Sequence, residues 1–455
     1  MPNPASRGAS SEPSERLPRT VGLFGAVAII VGSTIGSGIF RVPAVVADRL
    51  GAPGPILLAW VLGGALALFG ALTIAELAAM FPRSGGIFVY LEEAFGPLPA
   101  FLFGWSQLAV VRASALGGIA TTFAEYLGYF THYGTMGVRY TAALTILIVA
   151  GVNYLGVRHA SRVMNVATVA KYVAMVALVG LAFTMGDGSV ENFRASSEAA
   201  GQGVSFALVG AALVSVMWAY DGWADLSYMG AEIKDPGRNF PRSLVVGTAS
   251  IVVVYLLLNA AYIYLVPVGE MGGEALIAST AAQRIPILGS AGAGVVAAIV
   301  MLSCFGTLNG SMLTNPRIFF AMADRGLFFK GIARVSPRYE TPSAAIWLAA
   351  ALGCSYVLFN DFQQLADRFV LGIWPFYILA IVAVFVLRRK AADRPRPYRT
   401  WGYPVVPAVF LIAATLMVVG ALVTDPVNTG VTFGIIAIGI PVYVFTLGRK
   451  RVHKG

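Results

Sequence analysis

A chain of 455 residues that is 57% hydrophobic and only 12% charged carries too many long apolar runs to fold as a soluble domain. The net charge of +10 arises from 32 Lys and Arg against 22 Asp and Glu, but no folded basic domain carries it, so the composition gives no support to nucleic-acid binding. The composition is that of a polytopic helical membrane protein.

In chain order, the first 20 residues, MPNPASRGASSEPSERLPRT, are rich in Ser, Pro and Arg and lack a short apolar core with a cleavage site, so 1–20 reads as a disordered tail that is retained. Hydropathy then predicts twelve spans, at 21–46, 56–80, 98–127, 140–156, 163–185, 204–230, 242–266, 287–322, 343–359, 368–387, 404–424 and 430–448. An even number puts both ends on one side of the bilayer. Arg112 and Lys171 lie within spans, and most other Lys and Arg fall in the tail, the even-numbered loops and the 449–455 terminus, so both ends are expected in the cytoplasm. The basic runs RRKAADRPRPYR and GRKRVHKG are then inner-leaflet anchors.

The first span contains VGSTIGSGIF, residues 31–40. Gly32 and Gly36 fit a small-xxx-small packing face. The same residues also fit a break, since Gly36, Ser37 and Gly38 in succession can leave the helix and bare their N–H groups. Span six offers a counterpart in SVMWAYDGWADLSYMG, where Asp221 and Gly222 interrupt an apolar helix five spans later. An odd offset reverses direction, so copies at that spacing are inverted and their breaks meet near the midplane. Irregular backbone at that depth has to line a polar cavity, and such a lining suits a zwitterion: N–H groups for a carboxylate, carbonyls for an ammonium.

Lys171 is the one charge in NVATVAKYVAMVALVGLAF. It lies nine positions from Arg162, or about 14 Å of helix, beyond the comfortable reach of a snorkelling stem, so a buried ammonium there needs acceptors. A lysine that only ties helices together is the plainer alternative. Cys304 and Cys354 fall inside spans eight and nine and read as small buried residues. His132, His159 and His453 are scattered, so neither a metal site nor a cofactor is expected.

Five segments, GSTIGSGIF, AELAAMFPRSGGIFVYLEEAFGPLPAFLFGW, WAYDGWADLSYMGAEIKDPGRNFPRS, SCFGTLNGSMLTNPRIFFAMADRG and RPYRTWGYP, resemble in order the L-type amino acid transporters of the amino acid–polyamine–organocation superfamily. The resemblance implies an all-α fold with discontinuous helices 1 and 6: one five-helix repeat at 21–185, an inverted copy at 204–388 and two further helices at 404–448. It implies a substrate site at Ile35, Gly36, Ser37, Gly38, Trp218, Ala219, Asp221 and Gly222, with the carboxylate on the N–H groups of Ser37 and Gly38 and the ammonium on carbonyls near Ile35 and from Trp218 to Asp221. Coupling and gating are implied for Lys171, Trp218, Tyr255, Ser303 and Asn309, with Lys171 in place of the sodium ion of sodium-coupled relatives. Trp218 departs from the Phe usual in L-type members, which bears on pocket size; an interfacial or packing aromatic is its plainer reading. For Tyr255 a packing role stands equally open. Arg112 matches an arginine of eukaryotic L-type members, with no partner legible for it or for Asp225. Glu76, Glu232 and Arg317 read as pins at span ends.

The resemblance implies an amino acid transporter and no enzyme, in the plasma or inner membrane. Sodium-independent exchange of small to medium neutral L-amino acids leads; proton-coupled symport with Lys171 titrating is the alternative, and an ion channel or membrane-embedded enzyme lacks any filter-like or catalytic sequence. Eukaryotic relatives join a glycoprotein through a cysteine after span three. GYFTHYGTMGVR has none, so the expected partners are substrate and lipid bilayer, without a disulfide-linked heavy subunit. The oligomeric state is open.

Overall fold

The computed structural model describes residue 19 and residues 21–83, 85–155, 157–194, 205–289, 291–324, 330–334, 336, 338–339 and 341–445. The expected tails, apart from Arg19, and the side chains of Arg317, His159 and His453 lie outside the described residues. Among those described the chain is helical, and its one extended pairing is an isolated parallel bridge between Val21 and Ile233.

The helices in order are α1 (Leu23–Thr34), α2 (Gly38–Leu50), α3 (Pro53–Met80), α4 (Ile87–Phe95), α5 (Pro97–Ser106), α6 (Arg112–Thr131), α7 (Thr135–Tyr154), α8 (Val157–Met185), α9 (Phe206–Tyr220), α10 (Pro236–Leu265), the short α11 (Val268–Met271) and α12 (Ile277–Gln283), α13 (Gly292–Asp324), α14 (Ser343–Phe359), α15 (Phe362–Lys390), α16 (Val405–Thr424) and α17 (Pro426–Tyr443). Local chemistry sets many of the ends. Proline opens α3, α5, α10 and α17, where the missing N–H costs nothing. Gly51, at φ 62°, closes α2, and a capping box of Asp361 and Gln364 starts α15.

Seven of these helices are long and apolar enough to cross a membrane, or eight if α1 and α2, bent by 46° at their junction, count as one span. Leu58, Leu144, Val253, Ile412 and Ile438 on these helices are exposed, as a lipid-facing surface requires. The expected third span is built from α5 and α6 joined by a π-helical turn at Gln107–Val111. The predicted 343–359 coincides with α14, whereas the eighth span starts later than expected, at Gly292.

The two breaks differ. At 35–37 the chain leaves α1 with Ile35 extended and re-enters a full helix at Gly38. At the second, Asp221 is extended and Gly222 adopts φ 116°, and the chain continues in 3-10 turns at Asp225–Tyr228 and Gly230–Glu232. The second half of the expected discontinuous helix 6 is therefore not an α-helix. A Gly at positive φ turns the chain, and 3-10 turns, which rise further per residue than an α-helix, carry it toward Pro236, where α10 begins.

Packing holds both breaks from behind. Trp60, Tyr220 and Tyr255 form an aromatic triangle with centroids 5.2–5.9 Å apart, joining α3, α9 and α10. Glu76 near the end of α3 is buried and receives Arg388 through two bonds, at 2.9 and 2.6 Å, and Thr400 through its N–H and hydroxyl, both at 2.8 Å. Arg396 stands 3.6 Å away. Glu232 acts through its backbone, its carbonyl accepting from the Val21 N–H at 3.0 Å.

Candidate functional site

A helix that stops mid-membrane leaves up to four carbonyls at its C-terminus without partners. At the end of α1, side chains from two other helices take them. Lys171 of α8 donates to the carbonyls of Gly32, at 2.9 Å, and Ile35. Its ammonium also lies 3.4 Å from the Thr307 hydroxyl, and Tyr255 of α10 donates to the Thr34 carbonyl at 3.2 Å. Lys171 is 2% exposed, and among the described residues no carboxylate pairs with it. The partners of its nitrogen are two carbonyls and a hydroxyl.

The other side of the break carries the opposite polarity. Among the described residues the N–H groups of Gly36, Ser37 and Gly38 donate to no backbone carbonyl, and all three residues border a cavity of about 60 Å³. They form the buried N-terminus of α2 at the cavity wall, where an anion is favoured. The same cavity is lined by Thr34 of α1, Ile119 of α6, Trp218 and Asp221 at the end of α9, Thr307 and Ser311 of α13, and Phe369 of α15.

The two breaks touch directly. A Cβ built on Gly38 would lie 2.5 Å from the Ala219 Cα, and one on Gly222 would lie 2.7 Å from the Thr34 hydroxyl and 2.8 Å from its N. Gly36 faces Thr307, with 3.1 Å to its methyl. Trp218 is wedged edge-on between Phe362, at 5.9 Å, and Phe369, at 5.0 Å. Among the described residues no side chain from another helix donates to the last-turn carbonyls of α9.

The cavity wall also carries a charged cluster of Arg112, Asp221 and Asp225. Arg112 donates from Nε to Gln107 at 2.7 Å and stands 3.9 Å from Asp225, while Tyr377 of α15 donates to Asp221 at 2.8 Å. Arg112 and Asp225, which had no legible partner in the sequence, are each other's.

Of the residues singled out from sequence, Gly36, Ser37, Gly38, Trp218 and Asp221 come together around the cavity, Gly222 and Ala219 form the contact between the breaks, and Lys171 and Tyr255 hold the end of α1. Ile35 is buried, with its carbonyl taken by Lys171. Neither Ser303 nor Asn309 lines the cavity. Ser303 accepts the Thr307 hydroxyl on its carbonyl at 3.0 Å, and Asn309 accepts from Asn153 of α7 at 2.9 Å. Thr307 and Ser311 line the cavity instead, and Ser303, Thr307 and Ser311 recur every four residues on one helix face, a polar stripe that could have pointed to them. Tyr377 had no comparable signal, because its partner is 156 positions away.

The cysteines Cys304 and Cys354 are free, and among the described residues no group of three His, Cys, Asp or Glu is placed to hold a metal ion.

The family model described as amino acid permease matches residues 21–446. The serine/threonine exchanger SteT of Bacillus subtilis (strain 168) is 32% identical over 440 residues, which cover 95% of this chain and 98% of that protein. The human b(0,+)-type amino acid transporter 1 is 33% identical over 425 residues, 92% of this chain and 85% of that one. The human cystine/glutamate transporter is 29% identical over 457 residues, 99% of this chain and 90% of that one. A match that runs through both breaks, with relatives that are transporters throughout, means that this chain belongs to the amino acid permease family: a multi-pass membrane protein that transports amino acids and is not an enzyme.

Proposed function

We propose that this protein exchanges small to medium neutral L-amino acids across the plasma or inner membrane by alternating access, without sodium. The observation that carries this reading is Lys171 bonded to the carbonyls of Gly32 and Ile35, a resident positive charge where a coupling cation would otherwise be needed. The substrate carboxylate sits on the N–H groups of Ser37 and Gly38. Its ammonium meets the last-turn carbonyls of α9 and not that of Ile35, which Lys171 already occupies. Trp218 covers the site, and Tyr255 holds the end of α1 as the half-helices move. We infer twelve spans, arranged as the repeats 21–185 and 204–388 in inverted orientation with 404–448 appended and both termini in the cytoplasm; the direct contact of the two breaks supports the pairing of the two discontinuous helices. The protein works without a disulfide-linked heavy subunit. That its relatives include a serine/threonine exchanger supports small neutral substrates, as does the small cavity.

A second reading, proton-coupled symport, is favoured by the absence of a carboxylate partner for Lys171 among the described residues, since an ammonium held only by carbonyls and a hydroxyl can lose its proton without breaking an ion pair. Uptake of a radiolabelled amino-acid panel into proteoliposomes separates the two. Exchange predicts uptake only with amino acid inside, equal in sodium and choline; uptake into empty vesicles that follows an imposed pH gradient establishes symport.

A further inference from the structure

Gly118 sits in the middle of α6, in ordinary helical conformation, where nothing in its backbone calls for glycine. Glycine at such a position costs about 1 kcal/mol relative to alanine, so space is the reason to look for. A Cβ at 118 would lie 2.8 Å from Cη2 and 2.9 Å from Cζ2 of Trp218, closer than packed carbons approach. Those atoms form the outer edge of the indole, which Phe362 and Phe369 hold edge-on from other sides. The neighbouring glycine, Gly117, faces Leu365 of α15, so α6 receives two different side chains at adjacent positions. Ala115 and Ile119, on either side of Gly118, both line the cavity. An indole displaced from its seat on Gly118, and blocked by two phenyl rings, moves into the cavity.

We propose that Gly118 is a positioning residue that seats the Trp218 indole against α6 and thereby sets the largest amino-acid side chain the site accepts. The inference rests on the reading of Trp218 as part of the substrate site. A methyl at 118 drives the ring inward and penalises bulky side chains while leaving small ones room, and a smaller ring at 218 relieves the clash. The missing volume of Gly118 thus matches the extra volume of an indole over a phenyl ring.

The test measures apparent Kd for glycine, L-alanine, L-serine, L-leucine, L-methionine and L-phenylalanine from the heat stabilisation each gives the purified protein in detergent, which does not depend on the transport mode. In Gly118→Ala, affinity for leucine, methionine and phenylalanine relative to alanine should fall about 10-fold, the order expected when a pocket loses room for a methylene or two. Adding Trp218→Phe to that variant should restore the native ratio. An unchanged ratio in Gly118→Ala overturns the proposal. So does a uniform loss for every amino acid that Trp218→Phe does not relieve, because that is the behaviour of a purely structural glycine. If Gly118→Ala alone does not elute as folded protein, the double variant carries the test: it must fold and show a native size profile, and its failure to do either is equally decisive. A native protein that no amino acid in the panel stabilises would remove the reading of the site itself, an outcome distinct from a failure of Gly118.

Discussion

Gly38 at the start of α2 and Ala219 in the last turn of α9 meet so closely that a Cβ on Gly38 would lie 2.5 Å from the Ala219 Cα. Backbone rests on backbone there, so no side-chain rotation relieves a substitution. Gly38→Ala should therefore push the half-helices apart and abolish transport, while Ser37→Ala, which leaves the Ser37 N–H in place, should keep more than about half of native uptake. Both are read as initial uptake at matched protein abundance. Equal, severe loss in both variants would move the ligand from the backbone to the Ser37 hydroxyl.

That contact also shows how far the sequence was legible. Gly36, Ser37 and Gly38 announce an interruption because three small residues in a row are poor helix formers at a depth where water cannot repair the backbone. Asp221 and Gly222 do the same five spans later, and the lone charge of Lys171 demanded acceptors. What could not be read is the partnering between distant segments. Arg112 with Asp225 and Tyr377 with Asp221 are tertiary facts with no local pattern. On α13 the sequence pointed to Ser303 and Asn309, while Thr307 and Ser311 line the cavity: Ser303 lies on the same face one turn away from Thr307, and Asn309 lies on another face.

The charged cluster in the cavity wall makes an asymmetric prediction. Arg112 is almost fully buried and is the cation facing Asp225, with Asp221 bordering the same cavity. Arg112→Ala leaves two carboxylates together without a counter-charge and should cost about 2 kcal/mol, less than a fully buried pair because the Asp225 side chain is 28% exposed. Asp225→Asn should be milder, since Arg112 keeps its bond to Gln107. Thermal unfolding followed by size-exclusion fluorescence checks the order, and the double variant Arg112→Ala, Asp225→Ala should recover part of the loss. A double variant as unstable as Arg112→Ala alone would show that packing, not charge, explains the effect.

Glu76 should behave as a pin of the fold, without a direct part in transport. It lies 1% exposed between Arg388, Arg396 and Thr400, and its removal takes the carboxylate from Arg388 at the junction of α3 with the segment after α15, while Arg396 keeps its bonds to the carbonyls of Leu387 and Ala391. Glu76→Ala should lower stability by about 3 kcal/mol, and Glu76→Gln by less, because the amide oxygen can still accept one of the Arg388 bonds. The substrate selectivity of the surviving protein should be unchanged, as measured by competition among unlabelled amino acids. A change in selectivity would place Glu76 in the transport cycle.

Lys171 yields the prediction that most directly tests the coupling. Its ammonium closes the end of α1 by bonding the Gly32 and Ile35 carbonyls and reaches Thr307 on α13, so one charge joins the broken helix to two others. A ligand that drew Gly36 and Ser37 toward it would have to move this junction, which is how substrate binding and helix closure become one equilibrium. Lys171→Ala leaves two carbonyls unpaired in a dry environment, and exchange should fall at least about 10-fold although the protein still folds around its aromatic triangle. Lys171→Arg keeps the charge but replaces a compact ammonium with a planar fork. Gly36 allows little room for it, since even a methyl there would meet Thr307 at 3.1 Å, so partial activity is expected. Native exchange should be the same in sodium and in choline, because the Lys171 side chain already holds the carbonyls of Gly32 and Ile35. A steep pH dependence that disappears in Lys171→Ala would make the lysine a proton carrier, and sodium-dependent uptake by the native protein would refute both roles.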